Sequence, residues 1–301
     1  YLEQEQLSTH DLQNQFLIRV CSMVTKLGRK AIGWDEVLHP QMPECVVQNW
    51  RGATSRDRAL ALPRPVLVSG PYYLDLHYPA DVHYGFDPEA EQSQWLTQED
   101  ALQQDPRLSH VADGMEWTKH WRKDRVDYQG EVKVLGGEAC LWAELVNPDV
   151  LSTRLYSRLP AVAERLWSPA SCTDSASMYR RLQCCWRSLP ADPEAVARKK
   201  LLAMGFTEAQ LGALCLLEPV KWYGRLLGEE ALQARLAGTE MPKARPYHAD
   251  TLLNRVVDFL PPESMPARQL AELSLLEAAT QVKGHLVPWG EDLFSAGDEL
   301  R

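Results

Sequence analysis

Apolar residues recur at helical spacing through the first thirty positions. Leu12, Phe16, Val20, Val24 and Leu27 follow a Ser8-Thr9-His10-Asp11 segment that fits a capping box, and Gly28 ends the run. The pattern predicts an amphipathic helix. Four short apolar segments come next: 31–37, 46–50, 66–70 and 132–142. Each is bounded by Pro, Gly or charge and lacks clean alternation, as strands buried on both faces of a parallel sheet do. Among the connections of the first three, only Ala53 to Leu62 reads as a helix. A long polar stretch from about Leu76 to Glu131 separates the third segment from the fourth and carries His77, Tyr78, His83, Tyr84, Trp95, Trp117 and Trp121. It reads as a long insertion, and such insertions within a compact domain are usually functional. Leu151, Leu155, Leu159, Val162 and Leu166 then predict a second amphipathic helix, closed by Ser168-Pro169.

From Thr173 the pattern is helical. Met178, Leu182 and Trp186 form a stripe. Asp192-Pro193 opens another helix, which Gly205 closes, and Thr207-x-x-Gln210 opens a third. Pro261-Pro262 precedes a Leu-rich helix from about Pro266 to Val282. The sequence shows no internal repeat. The expected organisation is a sheet-containing α/β part to about residue 170, followed by mainly helical chain.

Composition narrows the class. The 301 residues are 45% hydrophobic and 24% charged, which excludes disordered and low-complexity states. No apolar run approaches the roughly 18 residues of a membrane span. The net charge of −9, with both signs interspersed, argues against nucleic-acid binding, which calls for a basic face. Seven cysteines without ligand spacing fit neither a disulfide scaffold nor a zinc site. At least one free thiol is compatible with a reducing compartment or with a bacterial protein exported, to the periplasm or beyond, without disulfides. The first residue is Tyr1 rather than Met, and no signal-peptide pattern follows it.

Ten tryptophans give the chain its candidate chemistry. Trp34 and Glu36, Tyr73 and Asp75, and Trp142 and Glu144 are each two residues apart at the end of a predicted strand, where side chains at i and i+2 share a face. Trp50 ends the second strand. Aromatic faces cover the C–H faces of a sugar ring, and carboxylates accept hydrogen bonds from its hydroxyls. In a parallel barrel the C-terminal rim is where sites are built. Asp35 and Glu36, as strand neighbours, face opposite sides, so one of them at most enters such a site.

Five segments in order carry a family resemblance: Gly33-Trp34-Asp35-Glu36, Gln48-Asn49-Trp50-Arg51-Gly52, Gly70-Pro71-Tyr72-Tyr73-Leu74-Asp75, the stretch from Gly136 to Glu144 that reads GGEACLWAE, and Ala163-Glu164-Arg165-Leu166-Trp167-Ser168. Over residues 8 to 190 the chain resembles glycoside hydrolase family 20, the β-N-acetylhexosaminidases, including the chitobiases of bacteria. The resemblance implies that the four strands are the fifth to eighth of a (β/α)₈ TIM barrel. It places the second half of the catalytic domain at residues 1–190 and a helical C-terminal region at 191–301. One family feature is missing. The His-x-Gly-Gly-Asp-Glu segment that ends the family's fourth strand does not occur in residues 1–301. A whole barrel takes ~250 residues, so the chain reads as the C-terminal part of a larger enzyme.

The resemblance also implies roles. The family's substrates are oligosaccharides with terminal non-reducing β-linked N-acetylglucosamine or N-acetylgalactosamine. Hydrolysis retains configuration and is substrate-assisted: the 2-acetamido oxygen attacks C1. By motif position Tyr73 donates its O–H to the acetamido carbonyl. Trp34, Trp50 and Trp142 wall the pocket, and Asp75 and Glu144 accept from distal hydroxyls. The Asp-Glu pair and a sugar-holding Arg would belong to a missing N-terminal half of the same protein, the expected partner of this chain. No metal or organic cofactor is implied. The rival expectation is a catalytically inactive, carbohydrate-binding relative.

Overall fold

The computed structural model describes residues 1–75, 77–105, 107–108, 126–143, 146–189, 192–217, 234, 237–239 and 252–289. The chain divides into two compact units. The first comprises Tyr1–Tyr73, Gly85–Cys140 and Arg165–Cys172; the second comprises Leu74–Tyr84, Leu141–Glu164 and Thr173–Arg301.

The first unit is built on a parallel sheet in chain order β1-β2-β3-β4, with β1 at Ala31–Trp34, β2 at Cys45–Asn49, β3 at Val66–Val68 and β4 at Gly136–Gly137. Val47, Val66 and Val68 are fully buried, as expected of a sheet covered on both faces. The strands are shorter than their apolar segments. Asp35–Val37 leaves the first as a 3₁₀ turn. Of the segment 132–142, only Gly136–Gly137 is strand, because β3 offers just three residues to pair with. Leu135 donates its amide to Val66 and Glu138 donates its amide to Val68, and these bonds bound the ladder. Pairing resumes at an isolated parallel bridge between Tyr73 and Cys140.

Helix α1 (Leu2–Glu5) precedes α2 (Thr9–Lys26). The expected capping box opens α2: the Ser8 hydroxyl accepts from the Asp11 amide, and the Asp11 carboxylate accepts from the Ser8 amide. The buried positions of α2 are Asn14 and Cys21, which differs from the expected stripe. Phe16 is 63% exposed, and Val20, Met23 and Leu27 lie open along the same face. Helix α3 (Ala53–Ala61) covers the sheet between β2 and β3. The described residues of the stretch expected as a long insertion form two helices, α4 (Ala80–Gly85), mostly in the second unit, and α5 (Gln92–Gln104) in the first. Helix α5 is tied to α3 through Arg56. Its buried guanidinium stacks on Trp95 at 4.6 Å and donates to Asp57 at 2.8 Å and to the Pro88 carbonyl at 2.9 Å. Trp117 and Trp121 lie outside the described residues.

Gly70 and Gly137 are held by close approach. A Cβ on Gly70 would sit 2.7 Å from the Trp50 carbonyl oxygen, and one on Gly137 would sit 2.6 Å from Leu166. The obstacle at Gly70 is backbone, which cannot step aside. Gly70→Ala is expected to lower the unfolding free energy by about 1–3 kcal/mol, the range for overpacking, as read from urea denaturation.

The second unit is helical. The single helix expected over 151–166 is two, α6 (Pro148–Tyr156) and α7 (Leu159–Trp167), broken at Ser157-Arg158. Helix α8 (Ser175–Ser188) buries Met178, Leu182 and Trp186 as expected. They pack with Ala80, Tyr84, Ala161 and Met265. Helix α9 (Pro193–Ala203) begins at the Asp192 cap, and α10 (Glu208–Leu214) begins at the Thr207–Gln210 capping box. After α11 (Val256–Phe259), the Leu-rich helix is also two, α12 (Met265–Ala271) and α13 (Leu275–Leu286); Ser274 caps the second. No described helix is long and apolar enough to cross a membrane.

Candidate active site

Parallel pairing puts the C-terminal ends of neighbouring strands on one edge of the sheet. In the first unit that edge carries Trp34 at the end of β1, Trp50 just past β2, and Tyr73 beyond β3. Each is half-buried. Asp35 organises the first two. Fully enclosed, it accepts from the amides of Trp50 at 2.8 Å and Arg51 at 2.7 Å and from the Asn49 side chain at 3.2 Å, so the end of β1 dictates where β2 turns. Glu36 lies on the open side. It accepts from Arg51 Nη2 at 2.6 Å and from the Trp50 indole at 3.4 Å. Arg51 also lies over the Trp50 ring, 5.1 Å from its centroid. Asp35 and Glu36 therefore diverge as expected, but through a 3₁₀ turn rather than strand alternation.

Burial pushes the Asp35 carboxyl above its ordinary value of 3.8, against its four hydrogen-bonding neighbours. The folded protein thus binds this proton more tightly than the unfolded chain does. Its stabilising contribution is full below 3.8 and is lost as pH rises through the folded value. Asp35→Asn has no such proton. The stability of the parent relative to Asp35→Asn is expected to fall as pH is raised from below 3.8 toward neutrality, as measured by urea denaturation at each pH.

The tandem tyrosines separate. Tyr72 is fully buried, donates to the Phe86 carbonyl at 2.8 Å, and has its phenol pushed up by burial. Tyr73 follows on the 3₁₀ turn Gly70–Tyr72 and is fixed by its bridge to Cys140. Glu138 is exposed; it accepts from Gln48 Nε2 at 2.6 Å, across β3.

In the second unit Asp75 is half-buried and accepts from the Trp142 amide at 3.3 Å. Trp142 itself is exposed. Tyr78 is half-buried near Asp75, and its phenol is pushed up to about 12, by desolvation first and then by the Asp75 carboxylate, so it stays neutral. His77 and His83 are both enclosed. Glu144, the sixth expected site residue, lies outside the described residues. Among the described residues no three His, Cys, Asp or Glu side chains gather as a metal site would require.

The last motif is structural. Glu164 accepts from the Tyr84 phenol at 2.8 Å and from Arg181 Nε at 2.9 Å. Arg165 closes the end of α7 by donating to the carbonyls of Ser168, Pro169 and Cys172.

The curated relatives are β-hexosaminidases. The chain is 28% identical over 181 residues to β-hexosaminidase subunit beta of Rattus norvegicus, covering 57% of this chain and 27% of that protein. It is 33% identical over 178 residues to a β-hexosaminidase of Porphyromonas gingivalis, covering 58% of this chain and 20% of that one. The chain thus spans about a quarter of the length of such relatives. The solved chitobiase of Flavobacterium johnsoniae superposes with a TM-score of 0.63 at 22% identity, over 96% of this chain and 40% of that one, and so shares its fold. Residues 1–170 match the model of the glycosyl hydrolase family 20 catalytic domain, and the chain belongs to that family.

Proposed function

We propose that this chain is the second half of a family 20 catalytic barrel together with its helical C-terminal region, divided near residue 190. The parent protein removes terminal β-linked N-acetylhexosamine from oligosaccharides with retention of configuration. The observation that carries this reading is the order of the motifs. Trp34, Trp50 and Tyr73 follow consecutive parallel strands, at the rim where barrel enzymes place their chemistry.

In this reading the substrate supplies its own nucleophile, the acetamido oxygen. Tyr73 donates to that oxygen and holds it in line for attack on C1; a neutral phenol is suited to donating at working pH. Trp34, Trp50 and Trp142 press on the sugar, and Asp75 and Glu144 accept from its distal hydroxyls. Holding the internal nucleophile against C1 is worth at most ~7–11 kcal/mol of the barrier. The Asp that orients the acetamido group and the Glu that protonates the leaving oxygen come from chain N-terminal to Tyr1.

Two features support a complementary half. β1 and β4 stand at the edges of the sheet. Near the first edge Ile32 and the Phe16–Leu27 face of α2 are open, and near the second Leu135 is open and Trp167 is 92% exposed. Apolar surface of this kind marks an interface.

The test is hydrolysis of p-nitrophenyl β-N-acetylglucosaminide and β-N-acetylgalactosaminide by the full-length protein, with the product anomer followed by NMR. Release of the β-anomer first is expected. An inverted product overturns the mechanism. Sugar binding without turnover favours the inactive, carbohydrate-binding relative.

A further inference from the structure

Asp75 sits in a short loop that two buried charges hold at both ends. Arg158, fully enclosed, is the residue at which α6 gives way to α7. Its Nη2 donates to the Leu74 carbonyl at 2.5 Å and its Nη1 to the Tyr78 carbonyl at 3.2 Å; Nη2 also donates to the Arg154 carbonyl at 3.0 Å. One guanidinium thus holds both Leu74 and Tyr78, on either side of Asp75 and His77. A planar fork of donors can reach two carbonyls at once; a single ammonium cannot hold both in that geometry.

The far end of the loop is held from the C-terminal region. Glu263, also fully enclosed, accepts from the Ala80 amide at the start of α4 and from Arg268 Nη2 at 2.7 Å. Arg268 stacks 3.6 Å over the Tyr179 ring, and the Tyr179 phenol donates to Asp81 at 2.7 Å. Between these anchors His77 is buried with a φ of 53°, a left-handed conformation that a non-glycine residue seldom adopts. Such backbone strain persists only where the surroundings over-determine it. Burying a guanidinium and a carboxylate is costly, and both are spent here on backbone groups of one loop.

We propose that Arg158 and Glu263 are positioning residues, which fix the Leu74–Ala80 loop and through it set the Asp75 carboxylate for a sugar hydroxyl. This rests on the reading of Asp75 as a hydroxyl acceptor. It gives the C-terminal helical region, through Glu263, a part in substrate binding.

The test is a set of double-mutant cycles on the full-length protein, assayed with p-nitrophenyl β-N-acetylglucosaminide. The variants are Asp75→Asn, Arg158→Lys, Glu263→Gln and the doubles with Asp75→Asn; melting temperatures check folding. A hydrogen bond to a charged acceptor predicts a roughly tenfold to hundredfold loss of kcat/KM for Asp75→Asn, chiefly through KM. Arg158→Lys is expected to lose about tenfold in the parent and less than twofold in the Asp75→Asn background, because it acts through that carboxylate. Glu263→Gln keeps the shape of the acceptor and drops its charge; it shows the same coupling at smaller size and stands in if Arg158→Lys does not fold. Equal losses in both backgrounds, with Asp75→Asn itself impaired, overturn the positioning role and leave the reading of Asp75 standing. An unimpaired Asp75→Asn overturns both. If the protein binds sugar without turnover, the same cycles read on the Kd for N-acetylglucosamine decide the matter in the same way.

Discussion

If the proposed function holds, replacing Tyr73 by Phe in the full-length protein is expected to lower kcat by about 10²–10³ while KM stays near the parent value. That range is the cost of removing one preorganised hydrogen-bond donor from an active site. The expectation rests on how the two tyrosines of the motif are held. Tyr72 is locked in the core by its bond to the Phe86 carbonyl, and Tyr73 is fixed by its pairing with Cys140. Phe keeps the ring, so the packing and the wall it offers a sugar survive. Only the O–H is lost, and in the proposed mechanism it aims the acetamido oxygen at C1, so its loss is expected in the chemical step rather than in binding. Steady-state kinetics on both proteins separate the possibilities. A change confined to KM, or both constants within about twofold of the parent, would mean that Tyr73 serves only as wall and not as donor.

What could be read in the sequence was local. Ser8 with Asp11, Asp192 with Pro193 and Thr207 with Gln210 mark helix starts through side chains that satisfy amides two or three residues away, and each does so in the fold. The four parallel strands were legible as short apolar runs. Most of the missed features depend on distant partners. Helix α2 is apolar on two sides, and spacing alone does not say which side meets the sheet. The break at Ser157-Arg158 has a local cause that the periodicity hid: Pro160 has no amide for the Tyr156 carbonyl, which accepts from the Trp186 indole instead; Arg158 is engaged with carbonyls some eighty residues away in sequence. Arg56, Arg154 and Arg165 are likewise buried, although charge patterning reads arginine as surface. Within the candidate site, spacing found the aromatic and acidic residues at the strand ends. It missed Asp35 as the residue that fixes Trp50, because the carboxylate does so through backbone amides of the next strand.

The open face of α2 leads to the second large effect. Residues 1–301 on their own are expected to show no glycosidase activity and to associate. The His-x-Gly-Gly-Asp-Glu segment is not in this sequence, and a general acid alone contributes about 10²–10⁴ in rate. In the proposed mechanism the residue that orients the acetamido group is lost with it. The sheet also ends at β1 and β4, with Ile32 beside one edge and Leu135 beside the other. Unpaired strand edges template pairing with other chains, and the exposed face of α2, with Trp167, adds apolar area that water disfavours. Light scattering of the purified 301-residue chain should therefore report species larger than 34.1 kDa. Release of p-nitrophenol should stay at the buffer rate. Co-expression with the N-terminal part of the parent protein should restore a monodisperse species and measurable turnover, since the two halves would close each other's edges. A monomeric 301-residue chain that hydrolyses p-nitrophenyl β-N-acetylglucosaminide would show instead that the acid lies within these residues, with Asp35, Glu36 and Glu138 as the carboxyls to test at the strand ends.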